Sequence, residues 1–173
     1  MNSAPSILVV DDEQIVRDSL SKWFREDGFK VAGAANAAEA LQHLQAQKWD
    51  IILLDIKMPG MDGMELQRRI KDIDSTATII FITAHATVDT AVRALKEGAF
   101  DYVTKPVDPD YLSHLVANAI KQRTLTTENL KLKEQISEFS RVDDIIGESQ
   151  QMQKVFELIQ TVAKTDTTVI IRG

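Results

Sequence analysis

The chain of 173 residues contains no cysteine. That excludes a disulfide framework, a thiolate nucleophile and any cysteine-ligated zinc site. The composition fits a reducing compartment, and a soluble, cytoplasmic protein is expected. Also missing is an apolar stretch of the ~18 residues that a membrane span requires. Residues Met1 to Ser6 lack a basic stretch followed by a long apolar run, so they do not form a signal peptide. Basic residues do not cluster: the formal net charge is −6 and the pI about 5.1, which disfavours a nucleic-acid surface. There is no internal repeat of roughly 20–50 residues and no low-complexity tract. What is there is 44% hydrophobic, enough to fill the core of one domain with an extension.

Short apolar runs alternate with stretches of helical period. Ile7-Leu8-Val9-Val10 reads as a buried strand, and Ile15, Val16, Leu20, Trp23 and Phe24 then recur at helical spacing up to Gly28. Phe29 to Ala34 predicts a second strand, and Ala37, Ala38, Ala40, Leu41 and Leu44 a small-residue helix face behind an Asn36 N-cap. Ile51-Ile52-Leu53-Leu54 ends in Asp55, and turn chemistry follows at Pro59-Gly60-Met61-Asp62-Gly63 before a helix through Leu66 and Ile70. Ile79 to Ile82 predicts a fourth strand ending at Thr83, Thr87 to Lys96 a helix, and Ala99 to Val103 a fifth strand. Asp108-Pro109 opens a long helical stretch. This alternation implies an α/β fold: a five-stranded parallel sheet with helices on both faces. The central strands are apolar throughout rather than alternating, as burial on both sides requires.

On that scaffold Asp11 and Asp12 follow strand one, Asp55 strand three, Thr83 ends strand four and Lys105 follows strand five. In a parallel sheet these positions share one rim, where such folds place their reactive groups. Three carboxylates held together repel, and a divalent cation relieves the repulsion. With only oxygen ligands available, a hard ion such as Mg²⁺ is favoured. A carboxylate beside it can attack phosphorus. Lys105 and the Thr83 hydroxyl can then serve the charged oxygens of the transferring group. Taken singly, each residue has an ordinary reading as a cap, a surface lysine or a solvated loop acid. Only the joint pattern points to chemistry.

Asp11-Asp12, Asp55, Thr83-Ala84 and Lys105-Pro106, with Met58-Pro59-Gly60-Met61-Asp62-Gly63 after the acid, resemble the receiver domain of two-component response regulators. The resemblance implies a flavodoxin-like sheet of order 2-1-3-4-5, with Asp55 as phosphoacceptor. It implies Mg²⁺ bound by Asp12, Asp55 and the backbone carbonyl of Lys57, with Asp11 acting mainly through water. Lys105 would pair with the phosphoryl group, Thr83 would move to bond it, and Tyr102 would turn inward behind it. The Lys105-Pro106 peptide would be cis, while Lys57 and His85 would modulate the phosphoryl lifetime. The partner implied is a sensor histidine kinase.

Beyond the receiver, assigned to residues 1–122, no Pro or Gly interrupts the helical pattern until Gly147. Tyr111, Leu115, Asn118, Gln122, Leu125, Asn129, Leu132, Ile136 and Phe139 follow coiled-coil spacing. A helical linker at residues 123–140, continuing the fifth helix from about 109, is expected to form a two-stranded coil and a homodimer. The other reading is an amphipathic helix packed on its own receiver or on the next domain. Residues 141–173, with Ile145-Ile146-Gly147, a helix from Gln151 to Ala163 and a strand from Thr167 to Arg172, resemble the start of the AAA+ ATPase domain of NtrC-type, sigma-54-dependent activators. Gly173 would be the first glycine of its phosphate loop, so this stretch alone is not expected to form an ATPase site. The resemblance implies contacts with sigma-54 RNA polymerase and DNA made by other parts of such a protein.

Two rivals differ in kind. A Mg²⁺-dependent phosphatase with an Asp55 nucleophile would usually carry a general acid two residues later, where this chain has Lys57. A nucleotide-binding module would need a glycine-rich loop after strand one, where Asp11-Asp12-Glu13 would repel a pyrophosphate.

Overall fold

A computed structural model describes residues 4–85, 87–139, 149–163, 168 and 170. The chain divides into two compact units, Met1–Thr126 and Thr127–Gly173. The first carries β1 (Ser6–Val10), α1 (Gln14–Glu26), β2 (Lys30–Ala34), α2 (Ala37–Ala46), β3 (Ile51–Leu54), α3 (Gly63–Ile73), β4 (Thr78–Thr83), α4 (Val88–Lys96), β5 (Asp101–Thr104) and the start of α5 (Pro109–Phe139). All strand pairs are parallel, in the order β2-β1-β3-β4-β5. The expected flavodoxin-like α/β architecture is the one observed.

Side chains alternate across each strand, yet both faces are apolar. Leu8, Val10, Ile52, Leu54, Ile79 and Phe81 pack with α2, α3 and α4 residues such as Ala40, Leu66, Ile70 and Ala94. Ile7, Val9, Ile51, Leu53, Ile80 and Ile82 face the opposite way, toward Leu20 and Phe24 of α1 and Leu112, Val116 and Ala119 of α5. Burying each such Leu, Ile or Phe contributes about 1.5–3 kcal/mol.

Local chemistry sets the boundaries. Asn36 caps α2, accepting from Glu39 N–H at 2.9 Å, while Glu39 Oε2 accepts from Ala35 N–H. Thr87 proves to be the N-cap of α4 rather than its first residue, and it exchanges capping hydrogen bonds with Thr90. β5 begins at Asp101 rather than Ala99, because Ala99 N–H is used to close α4 on Ala94 O at 3.0 Å. Ile15 is 82% exposed. Five residues from Leu20, it lies about 140° around the helix from the buried stripe. Leu115 of the expected coil seam is buried in the domain's own core, whereas Tyr111, Leu125 and Leu132 are exposed.

In the second unit, α6 (Gln150–Val162) starts at Ser149, whose hydroxyl accepts from Met152 N–H at 3.2 Å. Among the residues of this unit whose side chains are described, none is buried. The expected strand at 167–172 lies almost wholly outside the described residues, as do Ile145-Ile146-Gly147 and Gly173. No described helix is long and apolar enough to cross a membrane.

Candidate functional site

Because every strand runs the same way, all five carboxyl ends open on one rim, and the order reverses between β1 and β3. The two central strands carry the acids. Asp11 N–H donates to Ala34 O at 3.1 Å and Asp55 N–H donates to Val10 O at 2.9 Å. The ladder therefore extends one step past each strand and fixes the backbone of both residues. Asp11 and Asp55 are buried and Asp12 is exposed. One carboxylate oxygen from each lies within 4.8 Å of the others. That donor set, all oxygen and all anionic, suits a hard divalent cation.

Lys105 reaches into the same pocket from the loop after β5, through a cis Lys105-Pro106 peptide. Its Nζ lies 2.7 Å from Asp11 Oδ2, 3.2 Å from Glu13 Oε1 and 3.6 Å from Asp55 Oδ2. Burial works against the ammonium, but the hydrogen bond and charge of Asp11 outweigh it and hold Lys105 above its ordinary value. Burial likewise pushes the Asp11 carboxyl up, and the Lys105 hydrogen bond only partly opposes that. Three carboxyl groups, with Glu13 beside them, thus face a single ammonium.

Asp55 Oδ1 accepts from Ile56 N–H at 2.7 Å, while its Oδ2 faces Lys105. Thr83, fully buried at the end of β4, accepts from His85 N–H through Oγ1 at 3.2 Å. That leaves its own hydroxyl proton available to donate. Tyr102 is half-buried beside Phe81, and its hydroxyl lies 3.4 Å from both His85 O and Thr90 Oγ1. It stands at the outside of the loop that Thr83 begins. Lys57 is exposed on the loop after Asp55.

Gly63 sets the distance between that loop and α3. A Cβ there would overlap the Asp55 carbonyl oxygen and lie 2.9 Å from Ile56 Cα. Gly63 N–H donates to Ile56 O at 2.8 Å, so the chain returns directly against the backbone of the acid. Sequence reasoning did not anticipate that Glu13 contacts Lys105, nor a role for Arg17, whose Nη1 donates to Asp11 O at 2.7 Å. The only available signal was their place in the first turns after the acid pair.

This pocket has counterparts. The family profile of the response regulator receiver domain matches residues 7–117. The chain belongs to the response regulator receiver family.

The C4-dicarboxylate transport transcriptional regulatory protein DctD of Rhizobium meliloti is 34% identical over 173 residues, all of this chain and 38% of that protein. The DNA-binding transcriptional regulator NtrC of Escherichia coli is 37% identical over 169 residues, 96% of this chain and 35% of that protein. The chain spans little more than a third of these curated relatives. Among solved structures, a CheY-like receiver domain protein from Methanospirillum hungatei superposes with a TM-score of 0.69 at 30% identity, covering 72% of this chain and 99% of that one. A receiver domain protein from Clostridium thermocellum gives 0.67 at 35% identity, covering 70% and 98%. The receiver fold and its regulatory class follow, and the phosphatase reading finds no support.

Proposed function

We propose that this receiver takes a phosphoryl group on Asp55 from a phosphohistidine of a sensor histidine kinase and holds it as a reversible signal. The supporting observation is the joint placement of Asp11, Asp12 and Asp55 within 4.8 Å, with Lys105 Nζ 3.6 Å from Asp55. An Asp55 carboxylate oxygen attacks phosphorus as the P–N bond to imidazole breaks, and the electron pair stays on the ring nitrogen. Asp11, Asp12, Asp55 and the Lys57 carbonyl would hold Mg²⁺. When bound, that ion supplies charge neutralisation for the phosphoryl oxygens.

Lys105 shifts its contacts from Asp11 toward the new negative charge, and Thr83 donates its hydroxyl proton to a phosphoryl oxygen. Thr83 already holds His85 N–H, so its movement draws the loop before α4. Tyr102, in contact with that loop, follows inward. The face of α4, β5 and α5 is thereby remodelled, and α5 carries the change toward the linker.

In this reading residues 1–122 are the receiver, 123–140 a dimerising linker and 141–173 the opening of an AAA+ domain. The relatives' descriptions as transcriptional regulators support a cytoplasmic transcription regulator. In the longer protein, contacts with DNA and sigma-54 RNA polymerase belong to other segments. The chain acts as a regulatory phosphoacceptor rather than an enzyme.

Intact mass measured after incubation with Mg²⁺ and a small phosphodonor tests the acceptor. One phosphoryl group should add to the wild type and none to Asp55→Asn. Equal uptake by both refutes Asp55 as acceptor.

A further inference from the structure

We infer that Gln67 is a latch that holds α4 in an unfavourable resting position, so that its amide sets how readily α4 moves when Asp55 is loaded. The inference rests on the acceptor reading above.

Gln67, on α3, has no exposed surface. Its Nε2 donates to Ala94 O of α4 at 3.2 Å, and its Oε1 has no partner. Ala94 O already accepts Ala99 N–H at 3.0 Å, so the amide is not needed to satisfy it. A buried carbonyl without a donor carries an uncompensated desolvation cost. An apolar side chain of similar reach would avoid it. The resting contact between α3 and α4 therefore contains a polar atom that gains from any displacement admitting water or an N–H to it.

The helix it grips is lightly held. Ala94 is the one buried residue of α4, while Val88, Val92 and Leu95 are exposed, Val88 at 80%. Among the described residues, the ion pair that joins these helices is Arg68 Nε with Glu97 Oε2 at 3.6 Å, its arginine largely exposed, while Arg93 Nε holds Glu97 at 2.8 Å from within α4 itself. Such pairs restrain weakly. The amino end of α4 is connected to the pocket through Thr83 Oγ1, His85 and the Thr90–Tyr102 contact. A shift beginning at Thr83 thus meets its main internal resistance, and its main internal gain, at Gln67. Binding that favours the shifted helix must in turn be weakened by whatever stabilises the resting one.

Calorimetric titration of the full chain with beryllofluoride in saturating Mg²⁺ provides the test, comparing wild type, Gln67→Leu, Gln67→Met and Asp55→Asn. Both Gln67 variants should melt higher without ligand and bind beryllofluoride about tenfold more weakly, the scale set by one unpaired buried carbonyl. Amide exchange in residues 88–96 should slow in the unliganded variants. Lower melting, failure of both variants to fold, or unchanged or tighter affinity overturns the latch. Failure of the wild type to bind, or equal binding by Asp55→Asn, removes the acceptor reading and the latch with it. Wild-type binding that both Gln67 variants match removes the latch alone.

Discussion

Gly63→Ala adds a single methyl group where α3 returns against the acceptor's backbone. The atoms it would meet are the Asp55 carbonyl oxygen, Ile56 Cα at 2.9 Å and Asp55 C at 3.0 Å. All three are main-chain atoms and cannot swing aside as a side chain can. Ordinary contact begins near 3.4 Å, so the segment must move, and the 2.8 Å bond from Gly63 N–H to Ile56 O strains with it. Overpacking of this kind costs about 3 kcal/mol, at the upper end of what inserted methyl groups usually cost. For a domain of this size that lowers the melting temperature by roughly 10 °C.

The same movement displaces Asp55 from the pocket, and misplacement by about 1 Å slows a positioned reaction on the order of a hundredfold. Gly60→Ala is the control. At Gly60, φ is +82° and nothing lies within 4 Å of an added Cβ. That variant should lose only about 1 kcal/mol to backbone strain and keep its transfer rate. Thermal melts paired with the rate of mass gain from a small phosphodonor separate the two. A Gly63→Ala protein as stable and as quickly phosphorylated as Gly60→Ala would refute the close-approach argument.

Lys105→Met removes the cation nearest two buried carboxylates; denaturant unfolding without Mg²⁺ should show a loss of about 2 kcal/mol, less than for a fully buried pair because the rim is open to solvent at Asp12 and Glu13. Added Mg²⁺ should recover most of that loss, and an equal deficit with and without the ion counts against a shared pocket. At Asp74, burial acts against the carboxylate, but hydrogen bonds from the Thr76 N–H and hydroxyl outweigh it and hold its pKa below the ordinary 3.8. The lowered folded pKa means that its contribution is present at neutral pH and is lost as pH falls through that range. Asp74→Asn should therefore cost under about 1 kcal/mol at pH 7 and progressively less in acid, read by denaturant unfolding at several pH values. Leu132, exposed in α5 of a single chain, lies in the proposed coil seam. Leu132→Asp should convert a dimer to a monomer in sedimentation, and an unchanged mass would remove the coil.

Continuous apolar runs at Ile7–Val10, Ile51–Leu54 and Ile79–Ile82 showed from sequence alone that the central strands are covered on both faces, and the helical stretches between them that the sheet is parallel, since a crossover helix returns the chain to run the same way. The same reasoning put Asp11, Asp12, Asp55, Thr83 and Lys105 on one rim, because parallel strands deliver every carboxyl end to one side. Sequence could not tell which partner Lys105 holds at rest. That choice depends on three-dimensional distances, 2.7 Å to Asp11 against 3.6 Å to Asp55. Nor could the heptad pattern show that Leu115 belongs to the receiver's own core, since one apolar residue on a helix satisfies either partner equally. The unpaired carbonyl of Gln67 was equally out of reach. A glutamine in an amphipathic helix reads as solvent-facing, and only the approach of α4 encloses it and leaves one of its two polar atoms without a neighbour.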